Sequence, residues 1–188
     1  MRSRSTVLET AILGLLNSSP LHGYELRKQL GELLGPFRAF SYGSLYPALR
    51  ALQERGLLAG LEQSATPRRT RTASAAATKP TRSRIVYELT LLGRDYLADL
   101  LSSSGPAAWE DENFDVRFAL FGQTDAETRL RILEGRRSRL TERLEAVRQS
   151  AARTRHRLDE YSAELQRHGL DKVEREVRWL DDLITHER

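Results

Sequence analysis

The side chains able to do chemistry fall into three groups, and two of them point away from catalysis. His22, His156, His168 and His186 are scattered along the 188 residues, and none has a neighbour at the spacing of a metal site or a nucleophile–base pair. No GxxxxGK[ST], GxSxG, HExxH or GxGxxG stretch occurs, so no phosphate-cradling loop, serine elbow, zinc-protease helix or dinucleotide turn is expected. Cysteine is absent, which removes thiol chemistry, cysteine-ligated zinc and disulfides, and fits a reducing compartment. The paired acids Glu110-Asp111-Glu112 and Asp181-Asp182 read as solvated charges at helix ends. The expectation is a protein that is not an enzyme and that carries no cofactor and no metal.

The third group is basic and aromatic. Residues 66–84 contain Arg68, Arg69, Arg71, Lys79, Arg82 and Arg84 with no acidic residue among them. A polyanion suits such a segment, the plainer alternative being a solvated basic loop. The charge is also divided unevenly: residues 1–101 hold 14 Lys/Arg against 8 Asp/Glu, and residues 102–188 hold 16 against 18. The stretch FSYGSLYPALRALQERGLL, residues 40–58, sets tyrosine, serine and glycine in front of a leucine ladder. Ser41, Tyr42, Ser44, Tyr46 and Arg50 lie off the Leu45-Leu49-Leu52 stripe, so a polar side of this helix is available for contact.

The elements that would position these residues follow from periodicity. Leu8, Ala11, Ile12, Leu15 and Leu16 predict a first helix over residues 5–17. Ser19-Pro20 supplies a cap and a first-turn proline for a second helix through Leu26, Leu30, Leu33 and Leu34. In the third, Ser44 is the expected cap, Pro47 falls in the first turn, and Gly56 ends the helix. Residues 57–62 and Ile85, Val86, Tyr87 and Leu89 predict two strands flanking a long Thr/Ala/Ser/Pro/Arg loop. A fourth helix starts at Thr90 and buries Leu92, Tyr96, Leu97 and Leu100. Ser102-Ser103-Ser104-Gly105-Pro106 is a linker.

Beyond it, an aromatic-rich helix spans residues 109–121. A long polar helix then runs to His168 with Leu140, Leu144, Val147, Ala151, Thr154, Leu158, Tyr161, Leu165 and His168 as a heptad seam. After Gly169 a shorter helix folds back on it. A seam this narrow needs a second chain, so a homodimer is expected. Nothing approaches the roughly 18 apolar residues of a membrane span, and no signal peptide is seen, so no membrane is involved and the protein is expected to be cytoplasmic.

Three helices followed by a basic hairpin is the order of a winged helix-turn-helix. LETAILGLL (residues 8–16), LHGYELRKQL (21–30), SYGSLYPALRALQERGLL (41–58) and YELTLLGRDYL (87–97) together resemble the PadR-type transcriptional regulators. The expected fold is mainly α, with an N-terminal winged helix-turn-helix (residues 1–101) carrying a small two-stranded β-wing whose loop spans 64–82. A linker (102–108) leads to a long-helix, coiled-coil-like dimerisation domain (109–188).

The resemblance implies a homodimer on double-stranded DNA with a near-palindromic operator, acting as a repressor and released by a small-molecule effector. It also implies DNA-facing roles for Tyr24, Ser41, Tyr42, Gly43, Ser44 and Tyr46, with Arg82 and Arg84 on the wing. Lys28, Arg50 and Lys79 join them on charge and exposure. Tyr46 is assigned equally to core and groove. Trp109 and Trp179 are placed either in plain packing or around an effector pocket. The competing class is a winged-helix scaffold that binds protein rather than specific DNA. The wing, longer here than is usual in the family, most simply adds counterion-releasing charge.

Overall fold

The computed structural model describes residues 2–35, 42–63, 84–154 and 159–188. Helix α1 (Arg2–Ser18) is followed by a two-residue strand β1 (Leu21–His22), α2 (Gly23–Leu34) and α3 (Tyr42–Glu54). Strands β2 (Leu58–Gln63) and β3 (Arg84–Leu89) form the hairpin, and α4 (Leu91–Ser102) follows. Then come α5 (Pro106–Trp109), α6 (Asp111–Ala119), a 3-10 turn (Phe121–Gln123), α7 (Ala126–Thr154) and α8 (Glu160–Glu187). The chain divides into two compact units, Met1–Leu100 and Leu101–Arg188. The mainly helical reading, the winged helix with a small antiparallel sheet and the pair of long C-terminal helices are all present.

In the first unit the leucine stripes do what their spacing requires. Ile12 and Leu13 of α1, Leu26 and Leu30 of α2, and Leu45, Leu49 and Leu52 of α3 are at most 1% exposed, and each such side chain contributes about 1.5–3 kcal/mol by leaving water. Helix α3 ends where Gly56 turns to φ 71°, a left-handed conformation that glycine adopts without a Cβ penalty. Arg55 then ties three helices together. Its Nη1 donates to Glu9 Oε2 of α1 at 2.6 Å and its guanidinium lies 5.0 Å from the ring centroid of Tyr96 in α4. Helix α4 begins on Thr90, whose hydroxyl accepts from the Gly93 N–H at 3.0 Å and donates to the Gly56 carbonyl at 2.7 Å.

Several expectations are corrected here. Ser19-Pro20 does not open α2. Leu21 and His22 pair instead with Tyr87 and Val86, so the sheet has three strands in the order β1-β3-β2, and α2 starts at Gly23. Helix α3 starts at Tyr42, so Ser44 lies inside it and Pro47 stands beyond its first turn. The cost is small, because the carbonyl that Pro47 leaves without an N–H belongs to Gly43, an exposed residue. Leu92 is 57% exposed, and Leu97 and Leu101 carry the buried stripe of α4. Helix α5 starts inside the segment read as linker, and Glu110 breaks the aromatic helix into α5 and α6.

The second unit is an antiparallel helical hairpin with α5 and α6 packed on one end. Its core joins Ala108, Phe114, Ile132, Leu133, Leu140, Leu180 and Ile184. The long helix does not run to His168. Asp159 interrupts it with an extended backbone, and its carboxylate accepts from Ser162 N at 3.0 Å and from Ser162 Oγ at 2.7 Å, a side-chain N-cap that starts α8. Gly169 therefore lies within α8 rather than at a turn. Tyr161 and Leu165, read as seam residues, are 86% and 72% exposed on α8; the residues of α8 that are buried are Leu180 and Ile184.

Ion pairs register the hairpin. Arg129 pairs with Glu187 at 2.8 Å, Arg148 with Glu174 at 2.6 Å, Arg188 with Glu134 at 2.8 Å, and Arg137 with Asp181. The central node is Arg136, only 6% exposed. It donates to Asp111 Oδ1 at 2.6 Å and through Nη2 to Glu176 Oε1 at 2.7 Å, while lying 5.1 Å from the Phe114 ring centroid. Arg117 is also buried and donates to the Leu101 and Ser103 carbonyls at 2.7 and 2.6 Å. Burial alone lowers its pKa. No described helix is long and apolar enough to cross a membrane.

Candidate nucleic-acid interface

Helix α3 is two-faced. Leu45, Leu49 and Leu52 bury one side completely, while Gly43, Tyr46, Pro47 and Arg50 are exposed on the other at the three- and four-residue spacing of a single helical face. Ser44 is half-buried between them. Tyr42 is the first residue of the helix. Helix α2 adds Tyr24, 68% exposed, and Lys28, whose side chain is equally exposed and pairs with Glu32 at 3.7 Å. The start of α2 is fixed by the His22 N–H, which donates to Glu25 Oε2 at 3.0 Å. Arg84 opens β3, opposite Gln63 of β2. Ser41, Lys79 and Arg82 lie outside the described residues, so Tyr24, Lys28, Gly43, Ser44, Tyr46 and Arg50 are the predicted residues whose side-chain surroundings can be described.

Tyr46 takes neither of the two extreme positions. It is 43% exposed, yet its phenol lies over the beginning of α2: a Cβ built on Gly23 would stand 3.3 Å from the Tyr46 hydroxyl and 3.6 Å from Cε2 of Tyr87. Tyr87, 5% exposed, reaches this place from the wing's inner strand. Burial pushes its pKa up, Tyr46 adds to the rise and Arg50 opposes it. The Tyr87 hydroxyl thus feels both outward-facing side chains of α3. Tyr87 and Gly23 were inside recognised motifs but were not singled out as site residues. The alternation of β3 carried the signal, since it puts Tyr87 on the same face as Leu89.

In the second unit Trp179 belongs to an aromatic cluster, and Trp109 packs on α7. Trp179 meets Phe114 and Phe118 edge-on at centroid distances of 6.3 and 5.1 Å. Trp109 lies flat on α7 at Gly135, where a Cβ would sit 2.6 Å from its Cδ1. Among the described residues no group of three or more His, Asp or Glu could hold a metal ion.

A two-faced third helix, a second helix meeting it at the same surface, and the β2/β3 hairpin define a winged-helix domain. The family model described as Transcriptional regulator PadR-like family matches residues 12–76, about a third of the chain. The negative transcriptional regulator PadR of Bacillus subtilis (strain 168) is 38% identical over 52 residues, which are 28% of this chain. The match spans only 29% of that relative's length. Among solved structures, Bacillus subtilis PadR in complex with operator DNA aligns over 97% of this chain and 99% of its own, at 21% identity and TM-score 0.41. The same protein in complex with p-coumaric acid aligns over 96% and 98%, also at 21% and 0.41.

Proposed function

We propose that the protein is a homodimeric, sequence-specific repressor that binds a near-palindromic operator in duplex DNA and is released by a small molecule. The observation that carries this reading is the division of α3 into a fully buried leucine face and an exposed face bearing Gly43, Tyr46 and Arg50. Such a helix can enter a major groove without disturbing its own packing. Tyr42, Ser44 and Arg50 are assigned base or phosphate contacts, and Tyr24 and Lys28 stand at the groove's edge. Ser41, Lys79, Arg82 and Arg84 are assigned to the backbone, where each cation releases counterions. Repression is favoured by the family and by the name of the matched relative.

The dimer reading rests on the far end of the α7/α8 hairpin. Val147, Leu165 and Tyr161 are 37%, 72% and 86% exposed there, an apolar surface that a second copy would cover. Two copies would set two α3 helices about one DNA turn, roughly 34 Å, apart. An effector lodged by Trp109 or Trp179 would alter that spacing through α7 and α8.

Selection of genomic fragments with the purified full chain tests the reading. The expected result is an enriched palindrome whose binding weakens steeply with salt. Tyr42→Ala or Arg50→Ala should then reduce operator binding more than binding to random DNA. Recovery of no enriched palindrome would overturn the repressor reading in favour of a protein-binding scaffold.

A further inference from the structure

The exposed face of α3 is supported from below by a residue of the wing. Tyr87 stands in the middle of β3, the central strand of the sheet, with Leu21 of β1 on one side and Gly60 of β2 on the other. Its ring is buried, and the ring edge and the Tyr46 hydroxyl share the space in front of Gly23. A Cβ at Gly23 would crowd the Tyr46 hydroxyl at 3.3 Å while resting in ordinary contact with the Tyr87 ring at 3.6 Å. Tyr46 is partly exposed and Tyr87 is not, so the Tyr46 side chain is the one that shifts. Arg50, one turn further along α3, acts on the same buried phenol.

We infer that Tyr87 and Gly23 are positioning residues for DNA recognition: together they set where the Tyr46 phenol stands on the outer face of α3. Three elements meet at this point, the start of α2, the first turns of α3 and the wing's central strand. The geometry of the face is therefore not a property of α3 alone. A side chain that must reach a base edge works only within about half an ångström of its proper place. The ring of Tyr87 supplies packing. Its hydroxyl is the polar end of that ring, so Tyr87→Phe removes it while leaving the packing of the ring in place.

This inference rests on the proposed DNA-binding function, and the experiment keeps the two apart. Wild type, Tyr87→Phe, Tyr46→Phe, the double variant and Gly23→Ala are compared as full chains for operator binding, random-duplex binding, salt slope and thermal midpoint. Tyr87→Phe is expected to lower the operator-to-random ratio about tenfold, the size of one misplaced groove contact, with the salt slope and random-duplex affinity unchanged. The double variant should lose no more than the larger single loss, because both hydroxyls act through one arrangement. Gly23→Ala should lower the ratio by a similar factor while leaving the thermal midpoint in place. An unchanged ratio in both Tyr87→Phe and Gly23→Ala, or independent multiplying losses in the double variant, would overturn the inference. If the wild-type chain prefers no operator at all, the failure belongs to the proposed function.

Discussion

Gly93→Ala should unfold the winged unit far more easily than its size suggests. A Cβ at position 93 would overlap the carbonyl oxygen of Leu57, stand 3.0 Å from that residue's carbonyl carbon and 3.2 Å from Cδ2 of Leu89. An ordinary carbon–oxygen contact needs about 1 Å more, so backbone must move. The Leu57 carbonyl accepts from the Thr90 N–H and hydroxyl, each at 3.2 Å, and displacement weakens both at about 1 kcal/mol apiece. Overpacking adds about 1–3 kcal/mol, and the alanine recovers roughly 0.5–1 kcal/mol of helix propensity. The net is a loss of about 2–4 kcal/mol, which for a unit of this size lowers the melting midpoint by roughly 10–25 °C. Thermal melts followed by far-UV circular dichroism measure this. Both tryptophans, Trp109 and Trp179, are in the second unit, so their fluorescence reads that unit separately. Gly31→Ala is the control: nothing lies within 4 Å of its Cβ, and it should stabilise by about 0.5–1 kcal/mol. A Gly93→Ala midpoint within about 3 °C of wild type would refute the reasoning.

Other expectations concern the hairpin unit. Gly135→Ala places a methyl on the Trp109 indole; the displaced ring should cost about 1–2 kcal/mol and change the tryptophan emission of the folded state. Arg136→Met keeps the stem against Phe114 and abolishes the bonds to Asp111 and Glu176. Because Asp111 can rehydrate, the loss should be about 2–3 kcal/mol in denaturant titrations followed by tryptophan fluorescence. Asp111 responds to pH with a definite sign. The bond from Arg136, first, holds its carboxylate below the ordinary 3.8, so its contribution is present above that value and is lost as pH falls through the lowered one. The stability gap between wild type and Asp111→Asn should be full at about pH 6 and shrink progressively as pH falls below about 4. A gap that persists at the acid end would show that Asp111 acts by something other than its charge.

Much of the fold was legible because its elements carry strong local signals. The leucine spacing of α1, α2 and α3 and the positive φ at Gly56 are decided within a few residues. What was missed depends on distant partners. Strand β1 is two residues long, and Leu21 and His22 become a strand only by meeting Tyr87 and Val86, more than sixty positions away. The break in the long helix was assigned to Gly169, yet glycine ends a helix by turning to positive φ, which among the described residues only Gly35 and Gly56 do. The local signal was Asp159 followed by Ser162, a cap hidden inside a run that also satisfied a heptad. At the candidate site, the residues facing outward on α3 could be read from the leucine stripe. The support of Tyr46 by Tyr87 could not, since it joins α2, α3 and β3 across the fold.

Strand β3 has a neighbour on each side, and this frees the hairpin from an ordinary restraint. In a two-stranded hairpin the turn helps to fix the register, so a changed turn can slip the strands. Here β1 fixes β3 independently, through Leu21 with Tyr87 and His22 with Val86. The length of chain joining β2 to β3 then becomes a variable that evolution can adjust at little cost, since each doubling of a flexible loop adds only about 0.6 kcal/mol of closure entropy. Residues 64–83, the basic segment joining β2 to β3, are twenty residues long. An epitope or a reporter peptide spliced into residues 64–83 should be accepted just as readily, with Tyr87 still held beneath α3.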